Sequence, residues 1–224
     1  MIRVAVLDDY QGVARDMADW RRLDGRAEIA IFQDTLTDAD ALAARLAPFE
    51  VVCAMRERTA FDAALLARLP ALRLLVTTGM GNAAIDMAAA KARGVTVCGT
   101  HGSGYGTAEL AFGLMIALAR GIVPENASLA EGGWQRRVGR DLLGARLGIV
   151  GLGRLGGRLA EYGRAFGMEV LAWSQNLTEE AARAKGARLV GKSELFASSD
   201  FISVHLRLTE RTAGLIGAPE LRAM

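Results

Sequence analysis

The run Gly151-Leu152-Gly153-Arg154-Leu155-Gly156 constrains this chain more than any other stretch. Before it stands Arg146-Leu147-Gly148-Ile149-Val150, short, apolar and of strand length. After it, Leu155, Leu159, Tyr162 and Phe166 fall on one helical stripe. In a chain with 26 glycines a lone GxGxxG is a weak signal, but strand, turn and helix in this order are what the motif needs to act. Gly151 permits the tight turn, Gly153 lets backbone approach a pyrophosphate, and Gly156 lets the helix pack close to the strand. The first helical amides, at Arg154 and Leu155, then point at the anion with the helix dipole behind them. A tight strand-to-helix turn without a ligand is the plain alternative.

The next strand, Glu169 to Trp173, ends at Ser174. A dinucleotide fold usually places an acid there, about twenty residues past the glycines, to hold the adenosine ribose hydroxyls. Here Ser174-Gln175-Asn176 follows, with no carboxylate to repel a 2′-phosphate and no arginine directly after to attract one. NAD and NADP both remain open on these residues.

The same alternation runs through the whole chain. Val4–Leu7, Val51–Met55, Leu72–Val76 and Val95–Cys98 are strand-length apolar runs in the first hundred residues, and Leu147–Val150, Val170–Trp173 and Phe201–Val204 follow. A weaker strand lies at Ala187–Val190. Helical stripes such as Phe61, Leu65, Leu66 and Leu69 separate them. Strands alternating with helices predict an α/β protein with parallel sheets covered on both faces. The polar, glycine-rich stretch Gly99 to Gly104 reads as a hinge, giving units 1–100 and 101–224. Ala108–Arg120 is apolar nearly all round, so it is expected to be buried between domains or against another subunit.

Bulk properties exclude several classes. A formal net charge of +2 does not suggest nucleic acid as a partner, and Arg136, Arg137 and Arg140 read as a solvated surface. Cys53 and Cys98 lie in apolar runs and are expected to be buried free thiols, with no metal-ligand spacing. The N-terminal MIRVAVLDDY reads as a strand rather than a signal peptide, and the apolar run Leu110–Ala119 is far short of a membrane span. The expected location is the cytoplasm, with no membrane partner.

Four stretches taken jointly resemble the D-isomer-specific 2-hydroxyacid dehydrogenase family: residues 72–100, 106–120, 142–174 and 194–217. They occur in the family's order and spacing. The resemblance implies a flavodoxin-like substrate domain and a Rossmann-type dinucleotide-binding domain with a cleft between them. It implies NAD as cofactor with NADP not excluded, a small 2-hydroxy or 2-oxo acid as substrate, and a homodimer formed through the Ala108–Arg120 helix. It also implies that the backbone of Gly79-Met80-Gly81 holds the substrate carboxylate and that the loop carrying Arg56 and Arg58 faces the substrate; a solvated loop is the alternative. Thr107 either lies beside the cofactor phosphates or caps the helix that follows. His205 either lines the nicotinamide–ribose side or is a strand-end histidine bonded to backbone. Arg207 stands where the family usually has proline. His101, in the hinge, is expected to be structural or solvated.

The family catalyses hydride transfer with an Arg, an acid and a His, all in segments that follow the stretch matched by Leu215–Met224. No catalytic residue is therefore assigned in this chain. The dinucleotide domain is expected to be incomplete and the chain a fragment, with Phe201–Val204 as an exposed edge strand. The expected activity is that of an NAD(P)-dependent oxidoreductase, with a non-catalytic cofactor-binding or scaffold module as the alternative. A Rossmann-like methyltransferase is ranked low.

Overall fold

In the computed structural model, which describes all 224 residues, every paired strand runs parallel to its neighbour. The chain divides into two units, Met1–Gly102 and Ser103–Met224, each built around its own sheet.

The first unit runs β1 (Ile2–Val6), β2 (Ala27–Ile31), α1 (Ala39–Leu46), β3 (Val51–Ala54), α2 (Ala63–Ala67), β4 (Leu74–Thr77), α3 (Met87–Ala92) and β5 (Thr96–Gly99). Its strand order is β2-β1-β3-β4-β5, the flavodoxin-like arrangement. Each helix begins with an aspartate whose carboxylate accepts a backbone N–H three residues on: Asp38 from Ala41 at 2.7 Å, Asp62 from Leu65 at 2.8 Å and Asp86 from Ala89 at 2.9 Å. These bonds satisfy donors that a helix start leaves without partners. Helix residues Ala43, Leu46, Leu65, Leu66 and Ala90 pack with Ala5, Val52 and Leu75 of the strands in one core.

That core lies on one face of the sheet. On the alternate face Val4 and Val6 of the interior strand β1 are buried, whereas Val51, Cys53, Leu74 and Val76 are half-buried, so that face is covered only in part. Cys53, Val76 and Cys98 pair in one row across β3, β4 and β5, which puts both cysteines on that second face. Cys53 is half-buried, and burial pushes its thiol pKa up. Cys98 is exposed, contrary to expectation, because it sits on the edge strand, where the second face has no cover. Both thiols are free.

The second unit runs α4 (Gly106–Arg120), α5 (Ile122–Ala130), β6 (Arg146–Val150), α6 (Arg154–Ala165), β7 (Glu169–Trp173), α7 (Glu179–Ala184), β8 (Arg188–Leu189), α8 (Lys192–Ser198), β9 (Phe201–Val204) and α9 (Ala218–Ala223). The strand order β8-β7-β6-β9 is third, second, first, fourth, the arrangement of the leading half of a Rossmann sheet plus strand four. Both faces are covered. Phe112, Met115, Leu159 and Ala160 from α4 and α6 pack against Leu147 and Ile149. On the other face Leu195 and Phe196 of α8 pack against Val150 and Leu171. β9 pairs only with β6 and leaves Val204 half exposed at the sheet edge.

α4 is not buried all round. It turns Ala108, Phe112, Met115 and Ala119 inward, whereas Leu110, Leu114 and Leu118 are 65%, 56% and 77% exposed. An all-apolar helix needs cover, and this unit supplies it on one side only. No single helix is long and apolar enough to cross a membrane.

Phe61 tests the first core. It is fully buried, and its backbone donates to Ala84 O at 2.7 Å and accepts from Asp86 N at 2.9 Å. Phe61→Ala is expected to lower the stability of the first unit by about 3–5 kcal/mol, because the cavity cannot collapse between two anchored backbone bonds. Urea unfolding followed by circular dichroism reads this directly.

Candidate functional site

Gly151 ends β6 with φ +97°, a backbone conformation that side-chain-bearing residues rarely adopt. A Cβ placed there would also lie 2.9 Å from His205 O. A Cβ at Gly156 would lie 2.2 Å from Gly151 O, so α6 meets the turn at a distance only glycine permits. At Gly153 the result is the opposite: a Cβ would meet nothing within 4 Å. Gly153 is the N-cap of α6 and has no side chain to satisfy the amides that follow it. The turn is therefore closed on its protein side and open at the helix N-terminus, and that open end suits an anion as large as a pyrophosphate.

Two contacts outside the motif hold this turn. Lys185, just after α7, donates from Nζ to Leu152 O at 2.7 Å and to Gly153 O at 3.0 Å. The Arg154 side chain lies against Gly104, where a Cβ would meet Nη1, and the Arg158 guanidinium sits 4.0 Å from the Tyr105 ring centroid. These contacts set the start of α4 beside the start of α6. Thr107 lies there, in the first turn of α4, exposed. The N-cap of α4 is Tyr105 and no side chain caps it, so the capping alternative for Thr107 is excluded.

His205 follows β9, and its backbone N–H donates to Val150 O at 2.8 Å. Its Nε2 is 2.9 Å from Ser203 Oγ, so the ring meets a hydroxyl rather than a backbone group. Burial pushes its pKa down. Ser174, at the end of β7, lines a cavity of about 210 Å³ with Gln175, Asn176, Leu206, Thr209, Arg211, Thr212 and Leu215. The glycine turn, His205 and this cavity all lie at the carboxyl ends of the strands, where open α/β sheets bind ligands.

In the first unit the strand order reverses between β1 and β3, and the loops after those two strands carry Asp8 and Arg56. These are the two non-glycine residues of the chain with positive φ, +59° and +52°. Such backbone costs of order 1–3 kcal/mol each and gathers at functional sites. Asp8 is buried and accepts from Thr35 Oγ1 at 2.7 Å and Thr59 Oγ1 at 2.9 Å, tying together the loops after β1, β2 and β3. Asp9, also buried, accepts from Val13 N and Ala14 N, both at 3.0 Å. Neither aspartate was singled out from sequence.

Arg56 donates its backbone N–H to Thr78 Oγ1 at 3.0 Å, and its guanidinium occupies the space beside Gly79 that a Cβ would need. Arg56 is thus brought to the Gly79-Met80-Gly81 loop. Gly79 N–H donates to Thr100 Oγ1 at 3.1 Å, so it is already engaged. The amides of Met80 and Gly81 make no hydrogen bond within the chain. Arg58 stacks on the exposed Tyr10 ring at 4.1 Å. His101 is exposed. Of the other arginine cluster, Arg136 and Arg137 are exposed and Arg140 pairs with Asp200 at 2.5 Å. The chain holds no group of three or more His, Cys, Asp or Glu residues able to bind a metal.

A Rossmann half-sheet with an open glycine turn defines a dinucleotide-binding protein, and the comparisons with known proteins narrow the class. Residues 112–224 match the family described as "D-isomer specific 2-hydroxyacid dehydrogenase, NAD binding domain". The chain belongs to the D-isomer-specific 2-hydroxyacid dehydrogenase family, and its second unit carries the NAD-binding domain. It is 38% identical over 173 residues to the D-3-phosphoglycerate dehydrogenase of Archaeoglobus fulgidus, covering 76% of this chain and 33% of that one. It is likewise 38% identical over 173 residues to the glyoxylate reductase of Thermococcus litoralis, covering 73% and 52%. A solved phosphoglycerate oxidoreductase from Vibrio cholerae superposes with a TM-score of 0.93 at 37% identity, over 100% of this chain and 72% of that one. The chain spans about a third of the length of the phosphoglycerate dehydrogenase it matches.

Two outcomes check the turn. Gly156→Ala is expected to cost about 1–3 kcal/mol of stability by overpacking against the turn. Gly153→Ala is expected to leave stability within about 0.5 kcal/mol while weakening NADH binding roughly tenfold. Thermal unfolding and fluorescence titration separate the two effects. For His205 the sign follows from its lowered folded-state pKa: the neutral ring is favoured in the fold. Its stability contribution is complete above the unfolded value of about 6.5 and is lost as pH falls through the folded value. His205→Gln is expected to flatten the loss of stability below about pH 6.5, measured by urea titration at stepped pH.

Proposed function

We propose that the protein serves as an NAD(P)-dependent oxidoreductase acting between the hydroxyl and oxo forms at C2 of a small 2-hydroxy acid, in the cytoplasm. The observation that carries this reading is the glycine turn: closed by Gly156 on its protein side, open at Gly153 on the other. A bound nicotinamide dinucleotide supplies the hydride chemistry, and the protein supplies position and charge. On this reading Gly151, Gly153 and Gly156 shape the pyrophosphate cradle. Arg154 and Leu155 present its amides and Thr107 flanks it, while His205 lines the nicotinamide–ribose side and Ser174 faces the adenosine ribose. The first unit, residues 1–100, is the substrate domain, and residues 101–224 are the cofactor domain.

For the acid, the backbone of the Gly79-Met80-Gly81 loop is the carboxylate cradle. Its two unengaged amides are those of Met80 and Gly81, and Arg56 adds a cation beside them. An arginine next to paired amides suits a carboxylate, which accepts charge-assisted hydrogen bonds in a plane. The roles assigned to this chain are binding and orienting ones; proton transfer is assigned to none of its side chains.

The test is oxidation of NADH with glyoxylate, hydroxypyruvate and phosphohydroxypyruvate, read beside NADH titration in the absence of acid. NADH binding is expected for this chain, and turnover with at least one of the three acids for the protein that also carries the Arg, acid and His of the family's catalysis. Arg56→Ala is expected to raise KM for the acid about tenfold or more while leaving the NADH dissociation constant unchanged. NADH binding by that protein without turnover of any acid would instead select a cofactor-binding module.

We further propose a homodimer built on the exposed face of α4 and α5. Leu110, Leu114 and Leu118 continue into Ile122, Val123 and Leu129, which are 51%, 70% and 54% exposed. A contiguous apolar patch of this kind marks an interface rather than a solvated surface. Sedimentation is expected to show a dimer, and Leu118→Glu is expected to convert it to monomer without unfolding it.

A further inference from the structure

The end of β7 lacks the acid that a dinucleotide site uses to hold the ribose 2′-hydroxyl, and nothing near it in sequence replaces that acid. The fold brings in a residue from far along the chain. Arg211, in the loop after β9, donates from Nη2 to Gln175 Oε1 at 2.8 Å across 36 residues. Gln175 immediately follows Ser174, so the guanidinium stands at the ribose position. Arg211, Ser174 and Gln175 line one cavity of about 210 Å³; no residue lining it is acidic and Arg211 is the one basic group.

The loop that carries Arg211 is pinned. Thr212 Oγ1 donates to Arg207 O at 2.5 Å and accepts from Thr209 N at 2.8 Å, so Thr209 and Thr212, which bracket Arg211, are tied by hydrogen bonds. The guanidinium itself is exposed, and its hydrogen-bond partner is a neutral amide rather than a carboxylate. A cation with its charge uncompensated, held at the edge of an acid-free cavity, has an anion as its natural occupant. The dinucleotide that carries an extra anion at this position is the 2′-phosphorylated one.

We propose that Arg211 reads the 2′ position of the adenosine ribose and that the pocket accepts a 2′-phosphate, so that NADP(H) binds this chain at least as tightly as NAD(H). The inference rests on the glycine turn being a dinucleotide site. It adds that the base–ribose end admits the phosphorylated form through a side chain supplied by the fourth strand's loop rather than by the second strand.

The test is calorimetric titration of the 224-residue chain with NADPH and with NADH, for the native sequence, Arg211→Ala, Arg211→Lys and Gln175→Glu. Native protein is expected to bind NADPH no more weakly than NADH. Arg211→Ala is expected to weaken NADPH about 10- to 100-fold and NADH less than about threefold, the range for losing one charge-assisted hydrogen bond. Arg211→Lys is expected to restore part of the loss. Gln175→Glu, which sets a carboxylate against Arg211, is expected to shift preference toward NADH by about tenfold or more. NADPH affinity is expected to fall more steeply with salt than NADH affinity in the native chain and equally in Arg211→Ala. NADPH binding more weakly than NADH in the native chain, or Arg211→Ala weakening both dinucleotides by the same factor, overturns the proposal. Failure of the native chain to bind either dinucleotide overturns the reading of the glycine turn, and this inference with it.

Discussion

Gly156 of α6 rests against the carbonyl of Gly151, and the second unit is arranged around that contact. A Cβ at 2.2 Å from a backbone oxygen is not accommodated by small adjustments, because both partners are main chain. Close approach here fixes where α6 begins relative to β6. It then sets Leu159 and Ala160 onto Leu147 and Ile149, which builds the core on that face. The left-handed turn at Gly151 also brings the loop after β9 in beside the turn, through His205 O. One approach distance therefore determines both the packing of the helix and the direction in which its first amides point.

The clip from Lys185 shows how the rest of the unit supports this turn. Its ammonium bonds two carbonyls of the glycine loop, Leu152 O and Gly153 O. With the carbonyls held from behind, the N–H groups at the helix start are left facing the open side. The first unit follows a similar logic at a different strand end. Asp8 accepts two threonine hydroxyls from two other loops, which offsets the cost of its strained backbone and of a buried carboxylate. Loops at the strand ends are held by polar bonds because they have no core of their own.

What was legible in the sequence was local. The β6–turn–α6 element, the turn at Gly151, the close packing at Gly156 and the parallel alternation follow from spacing within a dozen residues. β2 was not legible: Ala-Glu-Ile-Ala-Ile is short, carries a charge and forms a half-buried edge strand, so it lacks the apolar run that marks a central one. The apolar character of α4 was legible but its cover was not, because periodicity reports which residues avoid water and not what shields them. Cys98 failed for the same reason: an apolar run predicts a strand, while burial depends on its place in the sheet. Lys185, Asp8 and Arg211 were invisible because each acts on a partner 27 or more residues away.

That last point bears on how the adenosine end of such a site should be read. The β7 terminus carries serine, glutamine and asparagine, and taken alone it favours neither dinucleotide. In a parallel sheet, however, the carboxyl ends of neighbouring strands deliver their loops to the same edge whatever their distance in sequence. Here β6 lies between β7 and β9, yet the loops of the outer two meet over it, Gln175 against Arg211. The charge at the end of β7 is thus set jointly by two loops. A missing acid on one removes a repulsion, and a basic residue on the other supplies an attraction. On the proposed reading the two act on the same 2′-phosphate and combine in one direction, so that selectivity belongs to the pair of loops rather than to the residue that ends the second strand.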